Sequence, residues 1–162
     1  MVITLEKLPA KPTITVSVVD YRLYEDLIRS IRKAVFVNEQ CIPAAIEKDS
    51  DDLLSQHVLA CCGRQVVGTG RLTPKGRIGR VAVSRPIRRR GVGFSIMQKL
   101  LEVAQQDNHQ AVVLAAQYHA IKFYEKLGFR REGDAFTEVG IMHVMMRKQL
   151  TASLLSDQWY AS

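Results

Sequence analysis

The chain has 162 residues, 47% hydrophobic and 24% charged, which suffices for one sizeable core and is too short for two ordinary domains. No stretch approaches the ~18 apolar residues of a membrane span, and no basic segment with a hydrophobic run opens the chain, so the sequence reads as a soluble, cytoplasmic protein. A net charge of +7 points to an anionic partner without saying which one, and Cys41, Cys61 and Cys62 have neither metal-ligand spacing nor even number, so they read as reduced thiols in or near the core.

In chain order the elements alternate as in an α/β protein. Thr13 to Val19 has strand character, and Tyr21 to Val37 carries Leu23, Leu27, Ile31 and Val35 at helical spacing. The acidic run Glu47, Asp49, Asp51 and Asp52 reads as a solvated loop, with attraction of a cationic amine as the lesser reading; Asp51 or Asp52 could cap a short turn. A hairpin follows, His57 to Cys62 and Gln65 to Leu72, turning at Gly63-Arg64. Ile78 to Val83 is a strand, Phe94 to Gln106 an amphipathic helix, and Ala111 to Ala115 a buried strand. A helix over Ala120 to Leu127 stops at Gly128, and strands near Phe129 and over His143 to Arg147 complete the sheet. The expected organisation is an extension at 1–12, one domain at 13–149 and a tail at 150–162.

The most informative stretch joins the strand ending at Val83 to the helix beginning at Phe94. Gly91 and Gly93 allow a positive φ and a close approach of backbone to ligand, and the helix's first amides, those of Val92 through Phe94, lack intrahelical partners. With the helix dipole and the forked donors of Arg88, Arg89 and Arg90, this is a cradle for a diphosphate. Five basic residues from Arg80 to Arg90 would lie along it. No Walker sequence occurs, and the dinucleotide fingerprint lacks both its third small residue and its acidic ribose ligand.

Arg88-x-x-Gly91-x-Gly93, followed by Ala120-x-x-Phe123-Tyr124-Glu125-Lys126-x-Gly128-Phe129, resembles the GNAT superfamily of acyl-CoA-dependent N-acyltransferases. Val35 to Gln40 with Pro43, and Gly140-Ile141-x-His143, are similar to its ElaA-like subgroup. The resemblance implies a mixed α/β sheet flanked by helices, whose central parallel strands, Ile78 to Val83 and Ala111 to Ala115, splay apart to admit the cofactor. It implies main-chain pairing of Val81, Ala82 and Val83 with pantetheine, and cofactor contacts from Gln117, Ala120, Phe123 and Tyr124. Gln117 stands where many members carry the shorter Asn. Tyr124 would protonate the departing thiolate, and Glu39, or else His143 or His119, with Glu138 weaker still, would accept the amine's proton. The co-substrate would be acetyl-CoA or another short acyl-CoA, without a metal and without an acyl-enzyme, and the acceptor an unidentified amine. A non-catalytic acyl-CoA sensor is the alternative, and a nucleic-acid-binding role the lesser one. Family members are often dimers, and the tail through Trp159 and Tyr160 could supply an interface.

Overall fold

The structure, a computed structural model, describes residues 13–151. Apart from Leu150 and Thr151, the two expected extensions therefore lie outside the described residues.

Two antiparallel sheets form the scaffold. The first is a meander in the order β1-β2-β3-β4, with β1 at Ile14–Val19, β2 at Gln56–Cys62, β3 at Gln65–Leu72 and β4 at Ile78–Val83. The second has the order β5-β7-β6, with β5 at Ala111–Gln117, β6 at Arg130–Glu138 and β7 at Ile141–Gln149. They meet where β4 and β5 lie parallel, and only at one end: Arg77 bridges Val113, and the Val113 amide donates to the Gly76 carbonyl at 3.0 Å. Beyond that point the strands part, as the splay expected of Ile78 to Val83 and Ala111 to Ala115 requires.

Helix α3, Val92–Gln106, buries Val92, Ile96, Met97, Leu100, Val103 and Ala104 against the sheets. It lies so close to β3 that a Cβ on Gly70 would sit 2.9 Å from both Ile96 and Leu100. That contact anchors the helix and fixes where its N-terminus opens, at the end of β4. Val112, Leu114, Val144, Met146 and Phe129 complete this core from the second sheet.

Helix α1 spans Tyr21–Arg32, capped by the Asp20 carboxylate, which accepts from the Arg22 amide at 2.8 Å. It then widens into a π-helical stretch, Lys33–Glu39, where the Gln40 amide reaches back to the Val35 carbonyl at 3.2 Å. Of the four apolar positions read as a helical stripe, only Ile31 and Val35 are buried; Leu23 is 80% exposed and Leu27 is exposed too. The face turned inward is instead Tyr21, Ile28, Ile31 and Arg32, so a buried arginine lies on the face that packs inward.

Arg32 explains the acidic run, which is not a solvated loop. Glu47 on the short helix α2, Ala44–Glu47, and Asp52 are both buried and both paired with Arg32. Asp52 also accepts from Arg71 at 2.6 Å, and Asp49 binds Arg71 at 2.7 and 2.8 Å and Arg80 at 2.8 Å. Asp49, rather than Asp51 or Asp52, caps the 3-10 turn at Ser50–Leu54. Three carboxylates and three guanidiniums thus neutralise one another between α1, α2, β3 and β4. His57 joins through a ring nitrogen 2.8 Å from the Asp52 carbonyl and stacks on Tyr21 at 4.6 Å. Cys61 and Cys62 are half-buried, whereas Cys41 is exposed and does not belong to the core.

Candidate active site

A cavity of about 380 Å³ fills the gap between the parting strands. Residues 79–83 of β4 form one wall and Ala115 and Gln117 of β5 the opposite one. Val35, Phe36, Ile42 and Ile46 cover it from the α1–α2 side, and Glu138, Val139, Ile141 and His143 from the β6–β7 hairpin. Val81, Ala82 and Val83 all line it, as expected of strand residues offering main-chain groups to an extended ligand.

A bulge shapes this wall. Ala82 faces Thr69 and Gly79 faces Arg71, so Gly70 alone stands opposite both Arg80 and Val81. Arg80 takes the left-handed conformation, φ 52°, and its side chain turns to the Glu47 carbonyl at 3.1 Å and to Asp49. It therefore belongs to the ionic cluster and not to the phosphate cradle, which corrects the reading of five basic residues along one anion track.

At the other end of β4 the turn has the geometry expected of an anion cradle. Gly91 lies at φ 82°, and the first helical hydrogen bond of α3 runs from the Ser95 amide to the Gly91 carbonyl at 3.0 Å. The amides of Val92, Gly93 and Phe94 precede it and have no intrahelical acceptor. A Cβ at Gly93 would meet the Phe123 ring at 3.4 Å, at the edge of ordinary van der Waals contact. Arg88, Arg89 and Arg90 are exposed around the turn. Arg88 folds back, donating from Nε to the Val83 carbonyl at 2.9 Å and from Nη2 to Glu39 at 3.0 Å. The residues fit a diphosphate: backbone donors converge where no Cβ intervenes, with cationic side chains beside them.

Tyr124 lies on α4, Ile121–Lys126, and lines the cavity together with Ala120 and His119. Its ring packs edge-on against Phe123 at 5.0 Å and Phe129 at 5.9 Å, and burial pushes its phenol up to about 12. It is thus a neutral O–H donor across the physiological range. Phe123 packs toward Gly93, and both aromatic rings lie against the main core.

The base candidates stand differently. His143 lines the cavity, stacks on Phe136 at 5.8 Å and has Nδ1 2.8 Å from the Ile141 carbonyl. A carbonyl only accepts, so Nδ1 carries the hydrogen and Nε2 keeps the lone pair of the neutral ring. Glu138 and His119 also line the cavity but are exposed. Glu39 is not among the lining residues, and its carboxylate is held by Arg88 at 2.9 and 3.0 Å.

Gln40, which sequence reasoning left without a role, forms a reciprocal amide pair with Gln117. Gln117 donates to Gln40 at 2.8 Å and Gln40 donates back at 3.3 Å, tying the end of the π-helical stretch to β5 across the cavity. The Gln117 amide expected to meet the cofactor is thereby engaged within the protein. No signal in one sequence links these positions, which lie 77 residues apart. Among the described residues no cluster of potential ligands could hold a metal, and no helix is long and apolar enough to cross a membrane.

The comparisons with known proteins converge on one family. The family model described as an acetyltransferase (GNAT) domain matches residues 18–150. An uncharacterized N-acetyltransferase of Bacillus subtilis, YjcF, is 36% identical over 122 residues, 73% of this chain and 87% of the relative. Protein ElaA of Escherichia coli is 33% identical over 129 residues, 74% of this chain and 84% of ElaA. The crystal structure of Escherichia coli ElaA superposes with a TM-score of 0.76 at 29% identity, covering 85% of this chain and 100% of that one. That of an acyl-CoA N-acyltransferase from Pseudomonas aeruginosa gives 0.73 at 29% identity, covering 84% and 99%. With the splayed strands, the cradle and the matching relatives all in place, the chain belongs to the GNAT acetyltransferase family and is an acyltransferase.

Proposed function

We propose that this protein, as a single domain over residues 13–149 in the cytoplasm, transfers an acetyl group from acetyl-CoA directly to an amine. The observation that carries the reading is one cavity that follows the opened edge of β4 to Val83 and Arg88, is lined by Tyr124, and ends beside the turn that leads into α3. The diphosphate would rest on the amides of Val92, Gly93 and Phe94 beside Arg88, Arg89 and Arg90. The pantetheine arm would pair with the main chain of Val81 to Val83, an antiparallel strand's chemistry without a strand.

The acceptor nitrogen attacks the thioester carbon, an N–C bond forms and the C–S bond breaks. His143 Nε2 takes the proton the amine loses, and Tyr124 gives its phenolic proton to the departing sulfur, recovering one from solvent afterwards. A phenol raised by burial is a proton reservoir that stays filled at neutral pH. Gln40 and Gln117 brace the two walls. For Gln117 to reach the cofactor, its pair with Gln40 would have to open.

Calorimetric titration with acetyl-CoA, with dephospho-CoA and ATP as controls, tests the donor. One-site saturable binding of acetyl-CoA is expected, and a folded sample that binds none would refute the reading. Gly91→Ala is expected to weaken acetyl-CoA binding by roughly tenfold and the fold by about 1 kcal/mol, because an L side chain at φ 82° is strained even in open space. Unchanged affinity in the same titration would show that the turn does not hold the phosphates. Binding with no CoA release for any amine would favour a sensor over an enzyme.

A further inference from the structure

The closed end of the cavity, where β4 and β5 meet, is cationic. Arg77 is the bridging residue itself; its side chain is exposed, lines the cavity and meets no carboxylate among the described residues. Arg80, also in the lining, spends Nε on the Glu47 carbonyl and Nη2 on Asp49, while Nη1 makes no hydrogen bond among the described residues. Burial and then the neighbouring Arg71 push the Arg80 guanidinium below its ordinary pKa, against the opposing pull of Asp49 and Glu47.

The negative charges nearby are already committed. Glu47 is bound to Arg32, Asp52 to Arg32 and Arg71, and Asp49 to Arg71 and Arg80. Of the two lining carboxylates, Glu47 and Glu138, Glu138 has no ionic partner among the described residues, and it is exposed on the hairpin. The cofactor's phosphates do not account for this charge. From Arg77, just before β4, to Val83 at its end the chain spans up to roughly 20 Å, at about 3.3 Å per residue.

We propose that the acceptor is a small amine that also carries a carboxylate, held by Arg77 and the free Nη1 of Arg80, with its apolar body against Ile42, Ile46 and Ile141. The inference rests on the acyl-transfer reading above and names the substrate class of that site. Forked guanidiniums match a carboxylate's two oxygens, and three isoleucines offer an apolar wall beside them. The size limits the class further. A 380 Å³ space that must also admit the acyl end of the donor leaves room for an amino-acid-sized molecule. It also reverses the idea that the acidic run attracts a cationic amine, because those carboxylates face arginines.

The test begins with acetyl-CoA binding by calorimetry and continues with CoA release and product mass for matched acceptors. These are the apolar amino acids and their amides, the same pairs as dipeptides, and spermidine. Carboxylated acceptors are expected to show kcat/KM at least about tenfold above their amides, with free amino acids ahead of dipeptides. Arg77→Gln, at an exposed position, is expected to raise their KM about tenfold, leave the amides' KM unchanged and leave acetyl-CoA affinity and Tm intact. Equal use of acids and amides, preference for spermidine, or no product from any carboxylated acceptor while acetyl-CoA binds would each overturn the proposal. Failure to bind acetyl-CoA would instead remove the acyl-transfer reading, and the inference with it.

Discussion

Replacing Tyr124 with Phe should lower kcat by about a hundredfold while leaving the dissociation constant of acetyl-CoA within about twofold, the pattern of a group used in the transition state alone. The substitution removes one oxygen and keeps the ring, so the edge contacts with Phe123 and Phe129 persist and the helix has no reason to shift. The pH dependence follows from the same residue. With the phenol pushed up to about 12, the acid form is complete throughout the neutral range, and Tyr124 imposes no basic limb on kcat below about pH 11. Steady-state kinetics with a competent amine reads both effects. Wild-type turnover in the Phe variant would remove Tyr124 from proton transfer and leave it a packing residue.

Removing the Asp52 carboxylate is expected to destabilise the fold by about 3–5 kcal/mol, since Asp52→Ala leaves Arg32 and Arg71 buried without their shared partner. Both arginines are more than nine-tenths buried, so water cannot replace the lost oxygen atoms. Burial alone would raise the Asp52 pKa, but hydrogen bonds and charge from Arg32 and Arg71 outweigh it and hold the carboxyl below its ordinary range. A depressed carboxyl contributes stability that is whole above its unfolded value, near ~3.9, and is lost as pH falls through the lower folded value. Wild type should therefore weaken in acid below about pH 4, and the Ala variant, already weakened, should show a shallower decline there. Urea unfolding at pH 7 and across the acid range measures both. A loss under about 1 kcal/mol at pH 7 would mean that the two guanidiniums find other acceptors.

These two residues differ in how far the sequence announced them. Tyr124 was legible because it sits in a spaced motif whose helix ends at a glycine, and both the helix and Gly128, at φ 89°, are where the pattern puts them. The cradle was legible for a similar reason: a strand, two glycines and an amphipathic helix in immediate succession leave few ways to fold. Asp52 was not legible. Its acidic neighbours look like a surface loop, and the arginines that draw it inward come from α1 and β3, 20 and 19 residues away. Arg32 itself falls on the buried face of α1, where periodicity counts only apolar residues, and Leu23 and Leu27 lie on the opposite, exposed side. The π-helical stretch was hidden too, because its wider turn leaves no compositional mark, yet it brings Gln40 to Gln117. Local patterns identify elements, whereas charge pairing between distant segments is a property of the folded chain.

The two walls of the cavity also differ in how freely they can change over generations. On the proposed reading, the donor side would rely on the main chain of β4 and on helix amides, groups present whatever the side chains are, so substitutions that keep the core would keep that side. The opposite side includes Glu138 and Val139, exposed at a hairpin tip whose first strand, β6, is exposed along its whole length, and Ile46, exposed on α2. Replacements there disturb little packing. A lineage carrying this fold can therefore explore new acceptors by single steps without first losing the donor, which makes the hairpin and α2 the natural places for related enzymes to diverge in preference.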